Sequence, residues 1–354
     1  MNSNFDIKKL VRPNILDLMP YRSARDDFDS GILLDANENA YGAPFENDLE
    51  LHRYPMPYQE KLRDLIADFR GVDAANIFTG VGSDEAIDLL FRIFCEPGSD
   101  EVLITPPTYG MYKVSAAINN VAVNQVLLTP DFQLHVDETL QAVSDRTKII
   151  FLCSPNNPTG NSLNREDMIA VVEQFNGIVV VDEAYIDFSV AESFATLVNE
   201  YPNLVVLQTM SKAFGLAGIR LGIAIANPAI IEFMMKVKAP YNVNKLTSQA
   251  AIRGYSNIQA MKQNVAELLT ERDRVIEELS AINEIEHIYP TDANFLIFRV
   301  KEALSVYKKL AEAGVIVRFR GNEPHCENCL RLTIGTTIEN NTFLEALRNV
   351  FQSD

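Results

Sequence analysis

The stretch Gln208-Thr209-Met210-Ser211-Lys212-Ala213-Phe214-Gly215-Leu216-Ala217-Gly218-Ile219-Arg220 sets one lysine among small residues. Hydroxyls precede it, and an arginine follows eight positions on. An amine so placed, directly after the apolar run Leu204-Val205-Val206-Leu207, suits Schiff-base chemistry beside a phosphate. A solvated lysine on a loop is the plain alternative. Asp182 closes another apolar run, Ile178-Val179-Val180-Val181, and so stands at the C-terminal end of a strand, where open α/β sheets bind ligands. Its carboxylate can keep a pyridine nitrogen protonated, and the Tyr185 phenol can hydrogen-bond a ring oxygen. Helix capping by Asp182 and packing by Tyr185 are the other roles open to them.

Two loops add to these. Ser154-Pro155-Asn156-Asn157-Pro158-Thr159-Gly160 confines two asparagines between prolines and a glycine, which can hold an amide over a ring or make a plain turn. Gly80-Val81-Gly82-Ser83-Asp84-Glu85 precedes a helical pattern, so its free N–H groups and the Ser83 hydroxyl can receive a phosphate. It is a poor dinucleotide fingerprint, because Glu85 fills the place of the third glycine. The pair Cys326 and Cys329 lacks the second Cys or His pair that a closed zinc site requires and reads as part of a surface loop.

The elements that must position these residues are short β-branched runs alternating with longer helical patterns. Runs of four or five apolar residues bounded by turn residues describe strands buried on both faces: 101–104, 148–152, 178–181 and 204–207. Helical patterns at 85–94 and 165–175 lie between them, and together they predict a parallel sheet wrapped by helices. After Pro240 the pattern becomes one long helix over 245–279, then short strands at 294–300 and 330–334 and helices at 302–313 and 341–350, an α+β lobe. The expected division is a large domain at 31–240 and a small one at 241–354, with residues 1–30 packing on the small one.

The chain has 354 residues, 47% of them hydrophobic, and a formal net charge of −17. That length suggests two lobes at roughly 150 residues per domain. The acidic balance argues against nucleic-acid or anionic-membrane partners, which would repel it, and leaves small-molecule chemistry. No signal-peptide core or apolar span stands out, and four cysteines are too few for a disulfide scaffold, so a cytoplasmic location is expected.

In this order, each at a strand end, these features resemble the fold type I pyridoxal-phosphate aminotransferases over nearly the whole chain. The resemblance implies an α/β fold with a large, mostly parallel αβα domain and a smaller α+β C-terminal domain. Within the class II subfamily, further motifs are similar to the histidinol-phosphate branch: Pro20-Tyr21-Arg22-Ser23-Ala24-Arg25, Leu34-Asp35-Ala36-Asn37-Glu38-Asn39, Arg53-Tyr54-Pro55, Pro106-Pro107-Thr108-Tyr109-Gly110-Met111-Tyr112 and Cys329-Leu330-Arg331-Leu332-Thr333-Ile334-Gly335. By resemblance, Lys212 links to pyridoxal 5'-phosphate, Asp182 pairs with its ring nitrogen, Asn157 and Tyr185 contact its ring oxygen, and Tyr109 stacks on the ring. Ser83, the Asp84 backbone, Ser211, Arg220 and, more weakly, Thr209 bind the phosphate. Tyr54 reaches the cofactor of a second subunit, which implies a homodimer. Arg331 grips the substrate's acid group, helped by Arg318 and Tyr21.

The resemblance thus implies transfer of an amino group between histidinol phosphate and 2-oxoglutarate. An aromatic or broad-specificity aminotransferase and a phospho-amino-acid decarboxylase share the fold and remain alternatives at this point. A cofactor-binding regulator would carry a DNA-binding segment that this acidic chain is not expected to have, and Glu85 disfavours a nicotinamide-dependent oxidoreductase.

Overall fold

The computed structural model describes residues 5–28 and 31–352. Seven strands form the large sheet: β1 (Ile77–Val81), β2 (Glu101–Ile104), β3 (Ala122–Gln125), β4 (Thr147–Cys153), β5 (Ile178–Asp182), β6 (Leu204–Thr209) and β7 (Leu221–Ala226). Their spatial order is β1-β7-β6-β5-β4-β2-β3, parallel throughout except that β7 runs antiparallel to both neighbours. The middles of the central strands are apolar on both sides because each face has its own core. Ile150, Leu152, Val179, Val181 and Val206 enter one cluster, while Ile149, Phe151, Ile178, Val180 and Val205 enter the other.

This topology gathers distant parts of the chain at one edge. Cys153 lies beside Asp182, and Asp182 beside Leu207, so the loops leaving β4, β5 and β6 emerge together. The antiparallel β7 brings its start to the same edge, with Thr209 opposite Gly222, and β1 ends there with Val81 opposite Leu221. The helix Gly82–Phe94 then begins against β7. Gly222 has to be glycine for this: a Cβ would sit 2.0 Å from the Gly82 carbonyl carbon.

A second sheet of β8 (Ile285–Ile288), β9 (Phe295–Val300), β10 (Arg318–Phe319) and β11 (Cys329–Thr333) is antiparallel, in the order β10-β11-β9-β8. Leu330 and Leu332 join Val275, Leu279, Phe298 and Leu344 in its core. Alternation therefore turns Cys329 and Arg331 to the other face, toward the large domain.

Several expectations change. The sequence pattern did not single out β1, β3 or β7 as strands. The helix expected over 245–279 is two, Lys245–Ser256 and Ile258–Ser280, because Asn257 leaves helical geometry at φ −123° and ψ 37° and its side chain donates to the Arg253 carbonyl at 2.8 Å. The first of these helices gives Ala251 and Tyr255 to a core of the large sheet, so the small lobe's own core starts only at Val275. The N-terminal segment also packs elsewhere than expected. Val11 and Ile15 are buried with Phe94, Ile230 and Met234 of the large domain, and the Arg12 N–H donates to the Ile93 carbonyl at 2.9 Å. The apolar stripe Ile7, Leu10, Val11 and Ile15 suits that helical surface.

Candidate active site

A cavity of about 550 Å³ opens where the two lobes meet, bounded by the C-terminal ends of β4, β5 and β6, the start of the helix Gly82–Phe94 and the strands β10 and β11. Ser83, Asp84, Tyr109, Asn157, Asp182, Tyr185, Thr209, Ser211, Lys212, Arg220, Arg318 and Arg331 all line it. The cavity has a carboxylate pole and two cationic poles, with Lys212 among them.

At the carboxylate pole, Asp182 is only 3% exposed. Burial pushes its carboxyl up to about 6, against the pull of the Tyr112 hydroxyl, which donates to Oδ2 at 2.7 Å, and the Ala184 N–H, which donates to Oδ1 at 3.1 Å. Asp182 thus caps the following turn as well as facing the cavity. Tyr112 is fully buried and stacked on Phe151 with centroids 4.6 Å apart. Sequence reasoning gave Tyr112 no role. Its spacing was the available signal, since three residues after Tyr109 returns to the same side of a helical turn.

The first cationic pole lies at the helix start. The Ser83 and Asp84 N–H groups belong to the first turn and have no intrahelical acceptor. Arg220, itself left-handed at φ 53°, reaches Ser211 Oγ at 3.5 Å and Asp84 Oδ2 at 3.4 Å. Tyr109 donates to Asp84 Oδ1 at 3.2 Å. The Asp84 side chain is thereby occupied with its neighbours and leaves its N–H to face an anion. Thr209 Oγ1 donates to Ser211 Oγ at 3.0 Å and accepts from the Ser211 N–H at 3.1 Å, so it orders the turn that presents Ser211 and Lys212. Glu85, which fills the missing glycine's place, accepts from the Val81 N–H and from Asn242 Nδ2 and locks the turn out of β1.

The second cationic pole is on the small lobe. Arg331 Nη1 donates to Asn157 Oδ1 at 2.6 Å, and its guanidinium lies 5.1 Å from the centre of the Phe295 ring. Burial, then repulsion from Arg320 and Arg318, lowers the Arg331 pKa to about 10 despite the Tyr185 phenol. It remains charged at neutral pH. Arg318 faces Arg331 across the β10–β11 ladder, and Arg320 extends the cluster. Sequence reasoning also passed over Arg320; spacing by two in an extended segment was its signal. The paired asparagines divide their work: Asn156 is buried and donates to the Pro107 carbonyl and to Thr159 Oγ1, while Asn157 faces the cavity.

Lys212 has its pKa lowered by burial and by Arg331 and Arg220, with Asp182 opposing. Its ammonium nitrogen lies 5.4 Å from the centre of the Tyr185 ring. Burial also raises the Tyr185 pKa, so the phenol stays protonated at neutral pH.

Two expected residues are not brought to this cavity by their own chain. Tyr54 is 49% exposed, stacks on Tyr241 and borders a separate hollow with Glu38, Arg53 and Lys245. Tyr21 is 70% exposed and borders a third hollow beside Tyr58 and Lys236. What holds Tyr54 is a buried ion network that sequence reasoning did not identify. Glu38 accepts from Arg25 at 2.6 Å, from Arg53 at 2.7 Å and from the Tyr54 N–H at 2.6 Å. Burial opposes the Glu38 charge, but these donors win and hold its carboxyl at about 2.

The model of the aminotransferase class I and II family matches residues 30–347. The chain belongs to that family. A histidinol-phosphate aminotransferase of Flavobacterium johnsoniae is 48% identical over 98% of this chain and 99% of its own length, and one of Parabacteroides distasonis is 49% identical with the same coverage. These likenesses place the chain in the histidinol-phosphate aminotransferase branch. Among solved structures, that of the histidinol-phosphate aminotransferase of Clostridium acetobutylicum aligns with a TM-score of 0.79 at 26% identity, covering 86% of this chain and 92% of that one. The expected fold class is thus found.

Proposed function

We propose that the chain is a pyridoxal 5'-phosphate-dependent transaminase that interconverts histidinol phosphate and 2-oxoglutarate with imidazole acetol phosphate and glutamate in histidine biosynthesis. The observation that carries this is the charge layout around Lys212: a buried carboxylate, an anion cradle at a helix start and, across the cavity, three arginines. The residues fit the cofactor by charge and by space. A Cβ on Gly82, which sits at φ +72°, would lie 2.7 Å from Arg220 Nη2 and fill the cradle. Ser83, the Asp84 N–H, Ser211 and Arg220 would hold the phosphate, with Thr209 in support. Asp182 would face the ring nitrogen, Asn157 and Tyr185 the ring oxygen, Tyr109 the ring face, and Lys212 would carry the covalent attachment. When bound, the cofactor supplies an electron sink for bond breaking at the substrate's α-carbon and a carrier for the amino group.

The chain's residues do the rest. Asp182, ionised above about pH 6, keeps a proton on the ring nitrogen. Lys212, with its lowered pKa, reaches the neutral amine more readily than a solvated lysine and moves the proton off the substrate's α-carbon. Arg331 binds the glutamate carboxylate through its planar fork, and in the second half-reaction it serves the phosphorylated substrate together with Arg318.

The Tyr54 role requires a second copy, and the reading includes a homodimer in the cytoplasm. In support, Ile32, Leu34, Tyr41 and Phe45, in the segment that carries the Tyr54 partner Glu38, are exposed large apolar side chains of the kind that suit association. No helix among the described residues is long and apolar enough to cross a membrane.

Half-reaction titrations of the reconstituted protein test the substrate assignment. Glutamate and histidinol phosphate should each convert the bound cofactor, with imidazole acetol phosphate reversing the change. Conversion by phenylalanine but not histidinol phosphate, or carbon dioxide release from threonine phosphate, would overturn the assignment.

A further inference from the structure

The expected surface loop at Cys326 and Cys329 turns out differently: both residues are fully buried as free thiols, beneath a turn whose outer residues Glu327 and Asn328 are exposed. The Cys329 thiol donates to the Glu327 carbonyl at 3.7 Å, and Cys329 stands opposite Arg299 across the β9–β11 ladder, in the same apolar cluster as Cys326 and Tyr289. Arg299 Nη2 donates to Tyr289 Oη at 2.7 Å, and Arg299 Nε is buried without a hydrogen-bond partner. The Cys329 N–H donates to the Cys326 carbonyl at 3.0 Å, which closes a tight turn. Such a turn keeps the two Cα atoms within about 7 Å, the span a disulfide accepts. No group of three or more His, Cys, Asp or Glu residues suited to a metal occurs among the described residues, so the pair lacks partners for a metal site.

We propose that Cys326 and Cys329 form a peroxide-oxidisable dithiol, with Cys329 the attacking sulfur and Cys326 the resolving one, coupled to the arginine cluster of the active site. The asymmetry follows from the surroundings. Cys329 is the one that stands opposite the Arg299 cation on the β9–β11 ladder, which favours its thiolate, whereas burial raises the Cys326 pKa. Burial, reinforced by Asp100 at Cys95 and by Asp182 at Cys153, raises the other two cysteines and leaves them inert by comparison. Hydrogen peroxide is small enough to enter beside the exposed Glu327 and Asn328 that separate the two buried cysteines. In the first step the Cys329 thiolate attacks a peroxide oxygen, the O–O bond breaks, and a sulfenic acid and hydroxide result. In the second the Cys326 thiol attacks Cys329 Sγ, giving the disulfide and, with the Cys326 proton, water; the proton that Cys329 released on ionising neutralises the hydroxide. The dithiol has lost two electrons and one peroxide has become two waters.

The coupling is through the backbone. The Arg320 N–H donates to the Cys329 carbonyl at 2.9 Å, and the Cys326 N–H donates to the Glu323 carbonyl at 3.1 Å. Arg331 follows Cys329 by two residues on β11, and Arg318, Arg320, Glu323 and Arg331 all line the cavity. Drawing Cys326 onto Cys329 therefore displaces residues that carry the anion site.

The test is peptide mapping of the reduced holoenzyme after hydrogen peroxide treatment. Cleavage after arginine yields one peptide, 321–331, holding both cysteines. It should lose about 2 Da, resist alkylation after denaturation, and recover both with dithiothreitol, while Cys95 and Cys153 stay alkylatable. In Cys326→Ser the peroxide should instead add oxygen to Cys329; in Cys329→Ser, Cys326 should remain a thiol. Oxidation of Cys95 or Cys153 in preference, or an unoxidised Cys329 in Cys326→Ser, would overturn the assignment. The kinetic part rests on the proposed transamination, which mapping does not need. Oxidation should raise the KM for histidinol phosphate by about threefold or more at unchanged kcat, as a weakened charged hydrogen bond would. Full disulfide with unchanged kinetics would remove the coupling.

Discussion

Replacing Tyr112 with phenylalanine should shift the pH at which the Asp182 carboxylate becomes useful. The ring is fully buried between Phe151 and the β5 end, so the substitution removes one hydroxyl and leaves the packing in place. The lost bond, 2.7 Å from hydroxyl to Asp182 Oδ2, stabilises the ionised carboxylate. A hydrogen bond to a charged group is worth roughly 1.5 to 3 kcal/mol, or about one to two pKa units at 1.36 kcal/mol per unit. The sign is upward, because only the charged form loses its donor. From about 6, the carboxyl should move to roughly 7 to 8. At pH 7 the ionised fraction should then fall from about nine-tenths to a half or less. The assay is the dissociation constant of pyridoxal 5'-phosphate measured from pH 5 to pH 9 on cofactor-free protein, wild type against variant. The ligand's own titrations enter both curves equally, so the displacement between the curves belongs to the protein. An acid limb that moves upward by about one unit supports the reasoning. Superimposable curves would refute it and show that Tyr112 does not govern the Asp182 charge.

Borohydride reduction of the yellow holoprotein should fix the cofactor on Lys212, located by peptide mapping; an adduct on another lysine would remove the central assignment. Mixing Lys212→Ala with Tyr54→Ala, each inactive alone, should recover part of the activity through mixed dimers once subunits exchange, because one site of each then has both residues. No recovery would place Tyr54 outside the neighbouring site. Arg331→Lys keeps the charge but loses the fork and should weaken glutamate and histidinol phosphate alike by about ten- to a hundredfold, whereas Arg318→Ala should bear more on the phosphorylated substrate; separate half-reaction titrations measure both. Glu38→Ala leaves the buried Arg25 with Asp35, at 3.4 Å, as its remaining carboxylate and should cost roughly 1.5 to 3 kcal/mol in urea unfolding. Since the Glu38 carboxyl is held at about 2 against an ordinary 4.5, the wild type should lose this contribution as pH falls between those values, and the variant should lack that part of the acid dependence.

The sequence by itself determined the elements whose chemistry is local. Apolar runs closed by Asp182 and followed by Lys212 mark strand ends, because a strand buried on both faces must be apolar until it leaves the core. The loops at Gly82 and Asn157, and most of the residues that line the cavity, were legible for the same reason. Tertiary structure decided what depends on register and on partners distant in the chain. The antiparallel β7 that brings Arg220 beside Ser83 is invisible to periodicity, since a buried strand looks alike in either direction. Residues 5–16 settled on the large domain, and the helix break at Asn257 gave Tyr255 to the large core, because complementary apolar surfaces rather than sequence order choose neighbours. The Tyr112–Asp182 bond joins residues 70 apart, and Glu38 joins Arg25, Arg53 and the Tyr54 backbone. Burial lifts the Asp182 carboxyl to about 6, three donors hold that of Glu38 at about 2 against burial, and both burial and such partners are properties of the folded chain.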